Sequence, residues 1–185
     1  MRPLREVRAT CCPKPRFPGR KTLALTLGLV IAGIVLMAPT ADAQAATKEE
    51  KVSNKTIIEG AFAAWAAGTG GPYDLLAEDL VWTITGNSLA SKTYNSREAF
   101  LSEVIRPFNA RMRTGLRPTI RSIYEDGDTV IVLFDASGTA RDGKPYVNSY
   151  AWFLGLRDGK IARATAFYDS IAFNDLWTRV SPASQ

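Results

Sequence analysis

The chain contains no histidine, and both of its cysteines, Cys11 and Cys12, lie near the start of the sequence. This composition excludes Ser-His-Asp triads, Cys-His nucleophiles and the usual transition-metal ligands from the rest of the chain. Carboxylates, phenols, hydroxyls and lysines are the groups that remain for chemistry. We therefore predict that any reaction of this protein uses neither a metal nor a cofactor.

The main candidate for acid/base chemistry is Asp169, at the end of a predicted strand in the sequence Phe167-Tyr168-Asp169-Ser170. A carboxylate that faces an apolar hollow has its pKa raised by desolvation and becomes a usable base or proton donor. Phe167 shares a strand face with Asp169 and is predicted to line the same hollow. Two interpretations of Asp169 are open: it is a general acid or base, or it only caps a helix over residues 171–177.

Three residues of the preceding predicted strand, Asn148, Tyr150 and Trp152, alternate along the chain and so share one face. They offer an amide, a phenol and an aromatic wall, and a few polar groups among apolar ones are typical of a ligand pocket. We predict that Tyr150 donates a hydrogen bond to a carbonyl or alkoxide of the ligand. An aromatic core face is the alternative interpretation, above all for Trp152.

Four further residues are candidates for the wall of this pocket. Trp82 and Ile84 share a face of an earlier predicted strand, and Tyr94 follows them in the chain. Asp135 follows the apolar Leu133 and Phe134, and two interpretations are open for it as well. It is either a second pocket carboxylate or the point where its strand emerges into water.

Hydrophobic periodicity in the first half of the chain predicts helices and one strand. These are a helix that begins at Ser53 or Asn54 and ends at Gly68, a short helix over residues 73–77, a strand over residues 80–85, and a helix that begins near Asn95 and kinks or ends at Pro107.

From Leu116 onward the periodicity changes to two, and Asp-Gly pairs at 126–127, 142–143 and 158–159 predict three hairpin turns. Three hairpins make four consecutive antiparallel strands, with a bulge or kink predicted at Ser137-Gly138. We therefore predict an α+β fold, in which a cone-like half-barrel of strongly bent, mainly antiparallel sheet is covered by about three N-terminal helices. Both faces of residues 130–134 are apolar, so a second copy of the chain is the simplest cover for the face without helices, and we predict a homodimer.

The first 43 residues have the features of a signal peptide: a basic stretch, an apolar run and the small-residue pattern Ala41-Asp42-Ala43. An uncleaved membrane anchor is the alternative.

Residues 1–43 hold seven of the 23 basic and two of the 18 acidic residues, which leaves 16 of each. The remainder is formally neutral, so a nucleic-acid partner is not predicted. We predict an exported protein, periplasmic or secreted, with a disordered lead-in over residues 44–53, one domain over 54–180 and a tail over 181–185.

The order of these elements, with the motifs Trp65-Ala66-Ala67-Gly68, Leu76–Trp82, Asp158–Ile161 and Phe167-Tyr168-Asp169, resembles the SnoaL-like, nuclear transport factor 2-like superfamily. This resemblance implies a cone-like α+β barrel with a deep apolar pocket and frequent dimers packed through the sheet. The superfamily includes isomerases, epoxide hydrolases, polyketide cyclases and binding domains, so the resemblance does not select a function.

The catalytic residues of these relatives are largely absent. Ala61 and Ile84 stand at the positions of the isomerase tyrosine and aspartate, and Trp82 and Ile84 at those of the hydrolase tyrosine and asparagine; Asp169 alone matches a catalytic aspartate of the hydrolases and cyclases. Two functions are therefore predicted side by side. One is cofactor-free acid/base conversion of a small hydrophobic molecule by Asp169 with Tyr150, and the other is a non-catalytic ligand-binding or dimerisation domain.

Overall fold

The computed structural model describes residues 52–183. The predicted signal peptide or anchor over residues 1–43 lies outside these residues, as do most of the predicted lead-in and the end of the predicted tail. Within the described part, no helix is long and apolar enough to cross a membrane.

Most helices lie in the first half of the described chain, and four of its six strands lie in the second half. Its elements are α1 (Asn54–Ala67), a 3-10 helix (Pro72–Leu75), β1 (Leu76–Ile84), β2 (Thr93–Tyr94), α2 (Arg97–Phe100), a π-helical segment (Leu101–Ile105), α3 (Arg106–Asn109), β3 (Arg117–Asp126), β4 (Thr129–Thr139), β5 (Pro145–Arg157), β6 (Lys160–Tyr168) and α4 (Ser170–Arg179).

All six strands form one sheet in the order β2-β1-β6-β5-β4-β3. β1 and β6 pair in parallel, and the other neighbours pair antiparallel. The sheet curls but does not close, since β2 and β3 remain as its two edges. The predicted α+β class with a bent, mainly antiparallel sheet is confirmed.

Turn and cap residues explain where several elements begin and end. Gly127, Gly143 and the pair Asp158-Gly159 have positive φ at the three hairpin turns, as the Asp-Gly pairs predicted. The Ser53 side chain accepts a hydrogen bond from the backbone N–H of Thr56 at 3.1 Å and starts α1. Gly68, with φ of 78°, ends that helix as predicted.

Three details of the predicted elements are wrong. Ser96 caps the third helical stretch instead of Asn95, because its Oγ accepts from the Ala99 N–H at 3.1 Å. The short helix ends at Leu75, and β1 already begins at Leu76. Of the bulge or kink predicted at Ser137-Gly138, the bulge is absent, because β4 and β5 pair regularly there. Gly138 has a different role, since a Cβ on it would lie 2.8 Å from the Met112 Cε atom.

The helices cover one face of the sheet, which we call the concave face; it carries Trp82, Phe134 and Trp152, all at most 4% exposed. Phe62 of α1 packs edge-on against Phe134, with ring centroids 4.9 Å apart. The opposite, convex face leaves Phe153 39% exposed and Phe167 47% exposed. The core therefore lies between the helices and the concave face.

Candidate functional site

A cavity of about 470 Å³ opens between the helices and the concave face. Ligand pockets of proteins commonly have volumes of about 300 to 1,000 Å³. Aromatic and aliphatic side chains from several elements make most of the wall, among them Trp65, Trp82, Ile84, Phe100, Trp152 and Phe173. The cavity is thus large enough and apolar enough to enclose a small organic molecule.

Ring contacts hold this wall in place. Trp82 of β1 stacks on Phe100 of α2 with centroids 4.3 Å apart, and it meets Trp152 of β5 edge to face at 5.2 Å. Trp152 also lies parallel to Trp65 of α1 at 6.0 Å. Because each ring is fixed by at least one other, the wall offers preformed flat surfaces.

Four phenols lie together in this apolar setting, and we call Tyr73, Tyr146, Tyr150 and Tyr168 the tyrosine cluster. Burial is the main cause that raises the pKa of each one above its ordinary value. Neighbouring phenols add to the effect, since the charges of Tyr146 and Tyr168 raise the pKa of Tyr73. The tyrosine cluster is therefore neutral near pH 7, and its members act as hydrogen-bond donors and acceptors, not as bases.

Asn148 lies behind the cluster on β5 and is 4% exposed. Its Nδ2 donates to the Tyr146 hydroxyl at 2.9 Å and to the Asp169 carbonyl at 3.0 Å. The Asp169 N–H in turn donates to Asn148 Oδ1 at 3.0 Å. The Tyr146 and Tyr150 hydroxyls are 3.1 Å apart. Asn148 thus supports the phenols from behind and is not among the residues that line the cavity.

The other two members differ in their partners. The Tyr168 hydroxyl lies 2.8 Å from Ser88 Oγ, which is itself 2.8 Å from Ser91 Oγ. Tyr73 lines the cavity, and within residues 52–183 its hydroxyl makes no hydrogen bond. Tyr73 therefore has an unused donor at the wall.

Asp169 is exposed and does not line the cavity. Its carboxylate accepts a hydrogen bond from the Ile171 N–H at 2.8 Å, which caps α4. Of the two interpretations drawn from the sequence, this contact is the one expected of a helix cap. The only carboxylate among the lining residues of the described chain is Asp74, whose Oδ2 accepts from the Gly71 N–H at 2.9 Å.

Four predicted wall residues lie on the cavity: Trp82, Ile84, Tyr150 and Trp152. Tyr94 lies elsewhere in the core, where its hydroxyl donates to the Ala90 carbonyl at 2.8 Å.

The placement predicted for two further residues needs correction. Phe167 lies on the convex face, because Ala166 and Tyr168 are the residues of β6 that face the cavity. Asp135 is also on the convex side, where Ser149 Oγ donates to it at 2.6 Å and Arg121 lies 3.7 Å away. For Asp135, emergence into water was the second of the two interpretations.

Sequence reasoning missed Tyr73, Tyr146 and Tyr168. The alternation that selected Asn148 and Tyr150 also places Tyr146 on the same face, so this residue was within reach of the same argument. Tyr168 was missed because Asp169 led to the wrong face of β6. Tyr73 lies in a short 3-10 helix, where no periodicity marks a buried side.

Comparison with known proteins identifies the fold. A family model described as a SnoaL-like domain matches residues 58–164. No curated protein matches this chain. An NTF2-like protein from Burkholderia thailandensis is 23% identical, with a TM-score of 0.56, over 67% of this chain and 96% of its own.

Two further solved structures are similar to this chain. A putative isomerase from Bacillus subtilis is 19% identical, with a TM-score of 0.51, over 65% of this chain and 86% of its own. TerC, co-crystallised with polyporic acid, is 21% identical, with a TM-score of 0.53, over 67% of this chain and 97% of its own. At these identities the structures share a fold with this chain, and the fold leaves the function open.

Proposed function

The chain belongs to the SnoaL-like domain family, and from that premise we propose that it binds a small, mainly apolar molecule in the cavity under its helices. One observation carries this proposal: a preformed aromatic cavity of about 470 Å³ whose wall also holds three phenols of the tyrosine cluster, Tyr73, Tyr150 and Tyr168. Apolar surface with a few convergent polar groups is the usual composition of a ligand site.

The proposal is for binding without acid/base turnover by Asp169. A general acid or base must come within hydrogen-bond reach of the reacting atom. The Asp169 carboxylate is exposed and accepts from the N–H of Ile171, at the start of α4. The tyrosines on the wall, with raised pKa values, do not supply a base near pH 7.

Binding is tested with tetralin, a bicyclic hydrocarbon, by isothermal titration calorimetry. We expect saturable binding with one site per chain. Ala166 lines the cavity on β6 and is 1% exposed. We expect Ala166→Trp to fill the space and abolish binding. Ala151→Trp is the matched control, since Ala151 alternates with the concave residues Tyr150 and Trp152 of β5 and so belongs to the convex side. Equal loss in both variants, with both folded, would place the ligand elsewhere.

We also propose that the protein is exported and dimeric. The sequence of residues 1–43 supports export. Exposed apolar side chains on the convex face, including Phe153 and Phe167, support a second copy as its cover. N-terminal sequencing of protein from the envelope fraction should begin at Gln44; an intact N-terminus in the membrane fraction would indicate the anchor instead.

A further inference from the structure

The proposed function leaves open what polar group the ligand carries. We infer that the ligand presents an oxygen acceptor, such as the carbonyl of an aromatic ketone, to the hydroxyls of Tyr150 and Tyr73; this inference rests on the proposed function. It follows from the direction in which hydrogen bonds must run through β5.

The Asn148 amide has only one orientation that satisfies its partners. The Asp169 backbone N–H can only donate, and it lies 3.0 Å from Asn148 Oδ1. The Asp169 carbonyl can only accept, and it lies 3.0 Å from Asn148 Nδ2. A flipped amide would set donor against donor and acceptor against acceptor. Asn148 therefore donates through Nδ2 to the Tyr146 hydroxyl, 2.9 Å away.

The Tyr146 hydroxyl has a single proton to donate. This hydroxyl accepts from Asn148, and Tyr146 is 3% exposed, so its own proton needs a protein acceptor. Within residues 52–183, its other hydrogen-bond partner is the Tyr150 hydroxyl at 3.1 Å. Tyr146 therefore donates to Tyr150.

Tyr150 therefore keeps its own proton for the cavity. Its oxygen receives the Tyr146 proton, while its ring lines the cavity and is 8% exposed. Tyr73 brings a second hydroxyl that makes no hydrogen bond within residues 52–183. A donor without an acceptor in an apolar site is unfavourable. A carbonyl or ether oxygen of the ligand accepts hydrogen bonds from such donors, whereas an ammonium group has only donors and cannot accept from them.

The test compares tetralin with α-tetralone, the ketone on the same bicyclic frame, in wild-type protein and in Tyr150→Phe. Loss of one neutral hydrogen bond should weaken α-tetralone binding by roughly 3- to 10-fold and leave tetralin unchanged. The infrared carbonyl band of bound α-tetralone should lie at lower frequency in wild type than in the variant. Tyr124→Phe, at a residue that is 61% exposed, is the control and should change neither compound.

A second variant tests the direction of the relay without removing a phenol. In Asn148→Asp, the new carboxylate accepts the Tyr146 proton, so Tyr150 donates to Tyr146 and is lost to the ligand. The same carboxylate faces the Asp169 carbonyl, which accepts from Asn148 Nδ2 at 3.0 Å in the wild type, so the variant should also be less stable. We expect the α-tetralone effect of Tyr150→Phe, with tetralin binding retained as the check on folding.

Equal weakening of both compounds by Tyr150→Phe, or an unshifted carbonyl band in wild type, would overturn the inference while the proposed function stands. Binding of neither compound to wild type would contradict both.

Discussion

The two faces of β5 show how differently one strand can use its residues. Tyr146, Asn148, Tyr150 and Trp152 point to the concave side and are all at most 8% exposed. Val147, between Tyr146 and Asn148, is 61% exposed on the convex side. The concave residues form an ordered hydrogen-bonded and aromatic array, whereas the convex residues leave apolar surface uncovered. The side chains of β5 that form the candidate site are those on the buried, concave face.

Polar groups follow the same division. On the concave side, the buried Asn148 amide is satisfied by the Tyr146 hydroxyl and the Asp169 backbone. On the convex side, Asp135 pairs with Ser149 and Arg121 while its side chain is 44% exposed. Exposed ion pairs add little stability, typically 0 to about 1 kcal/mol. We therefore expect recognition to depend on the concave face and assembly on the convex face.

The largest contrast between the faces should appear in stability. Phe134 is 0% exposed and contacts several rings, including Phe62 and Tyr150. Phe134→Ala should lower the free energy of unfolding by about 3 to 5 kcal/mol. Phe153→Ala, at 39% exposure, should lower it by less than about 1 kcal/mol in the monomer. Urea unfolding measures both losses. Similar losses of stability would contradict a core that lies on the concave face alone.

Alkaline pH should destabilise the protein through the concave phenols. Their pKa values are raised in the folded state, and that of Tyr94 is raised to about 12 by burial. The folded state therefore keeps protons that the unfolded state releases above pH of about 10. Stability should be full below that pH and fall as the pH rises through the raised pKa, by up to about 1.4 kcal/mol per pH unit for each such tyrosine.

Urea unfolding at a series of alkaline pH values measures this loss, and Tyr94→Phe should reduce its slope. Constant stability up to pH of about 12 would contradict buried, neutral phenols.

Assembly should respond to the convex face alone. Phe153 and Phe167 lie with ring centroids 6.0 Å apart on that face. A charged side chain at position 153 is unfavourable when it is buried against a second copy of the chain. Phe153→Glu should therefore convert the dimer to a monomer, as measured by analytical ultracentrifugation. Binding of tetralin should persist within about twofold. A monomeric wild type, or a variant that stays dimeric, would contradict the proposed interface.

A small effect, on stability alone, is expected at Asp169. As a helix cap, Asp169→Ala should lower the free energy of unfolding by about 1 kcal/mol and leave ligand binding unchanged. Ser53→Ala, which removes the cap of α1, should have a similar effect and is the matched control. A loss of binding or turnover specific to Asp169→Ala would restore the carboxylate as a site residue.

The fold was predictable from local signals, because turn chemistry and periodicity act within a few residues. The Asp-Gly pairs at the hairpins and Gly68 at the end of α1 are examples. The site was only partly predictable. Trp82 and Tyr150 follow from alternation, but alternation alone does not say which face of β6 is inside, and this is how Phe167 was misplaced. Tyr73 reaches the cavity from a 3-10 helix through packing alone.

A crystal structure of the protein with α-tetralone would show whether the cavity holds the ligand and where its carbonyl lies. We predict that the bicyclic ring lies in the cavity against the wall that Trp82 and Trp152 form, with its carbonyl oxygen about 3 Å from the Tyr150 hydroxyl. A ligand bound instead on the convex face beside Phe153 and Phe167, with an empty cavity, would contradict it.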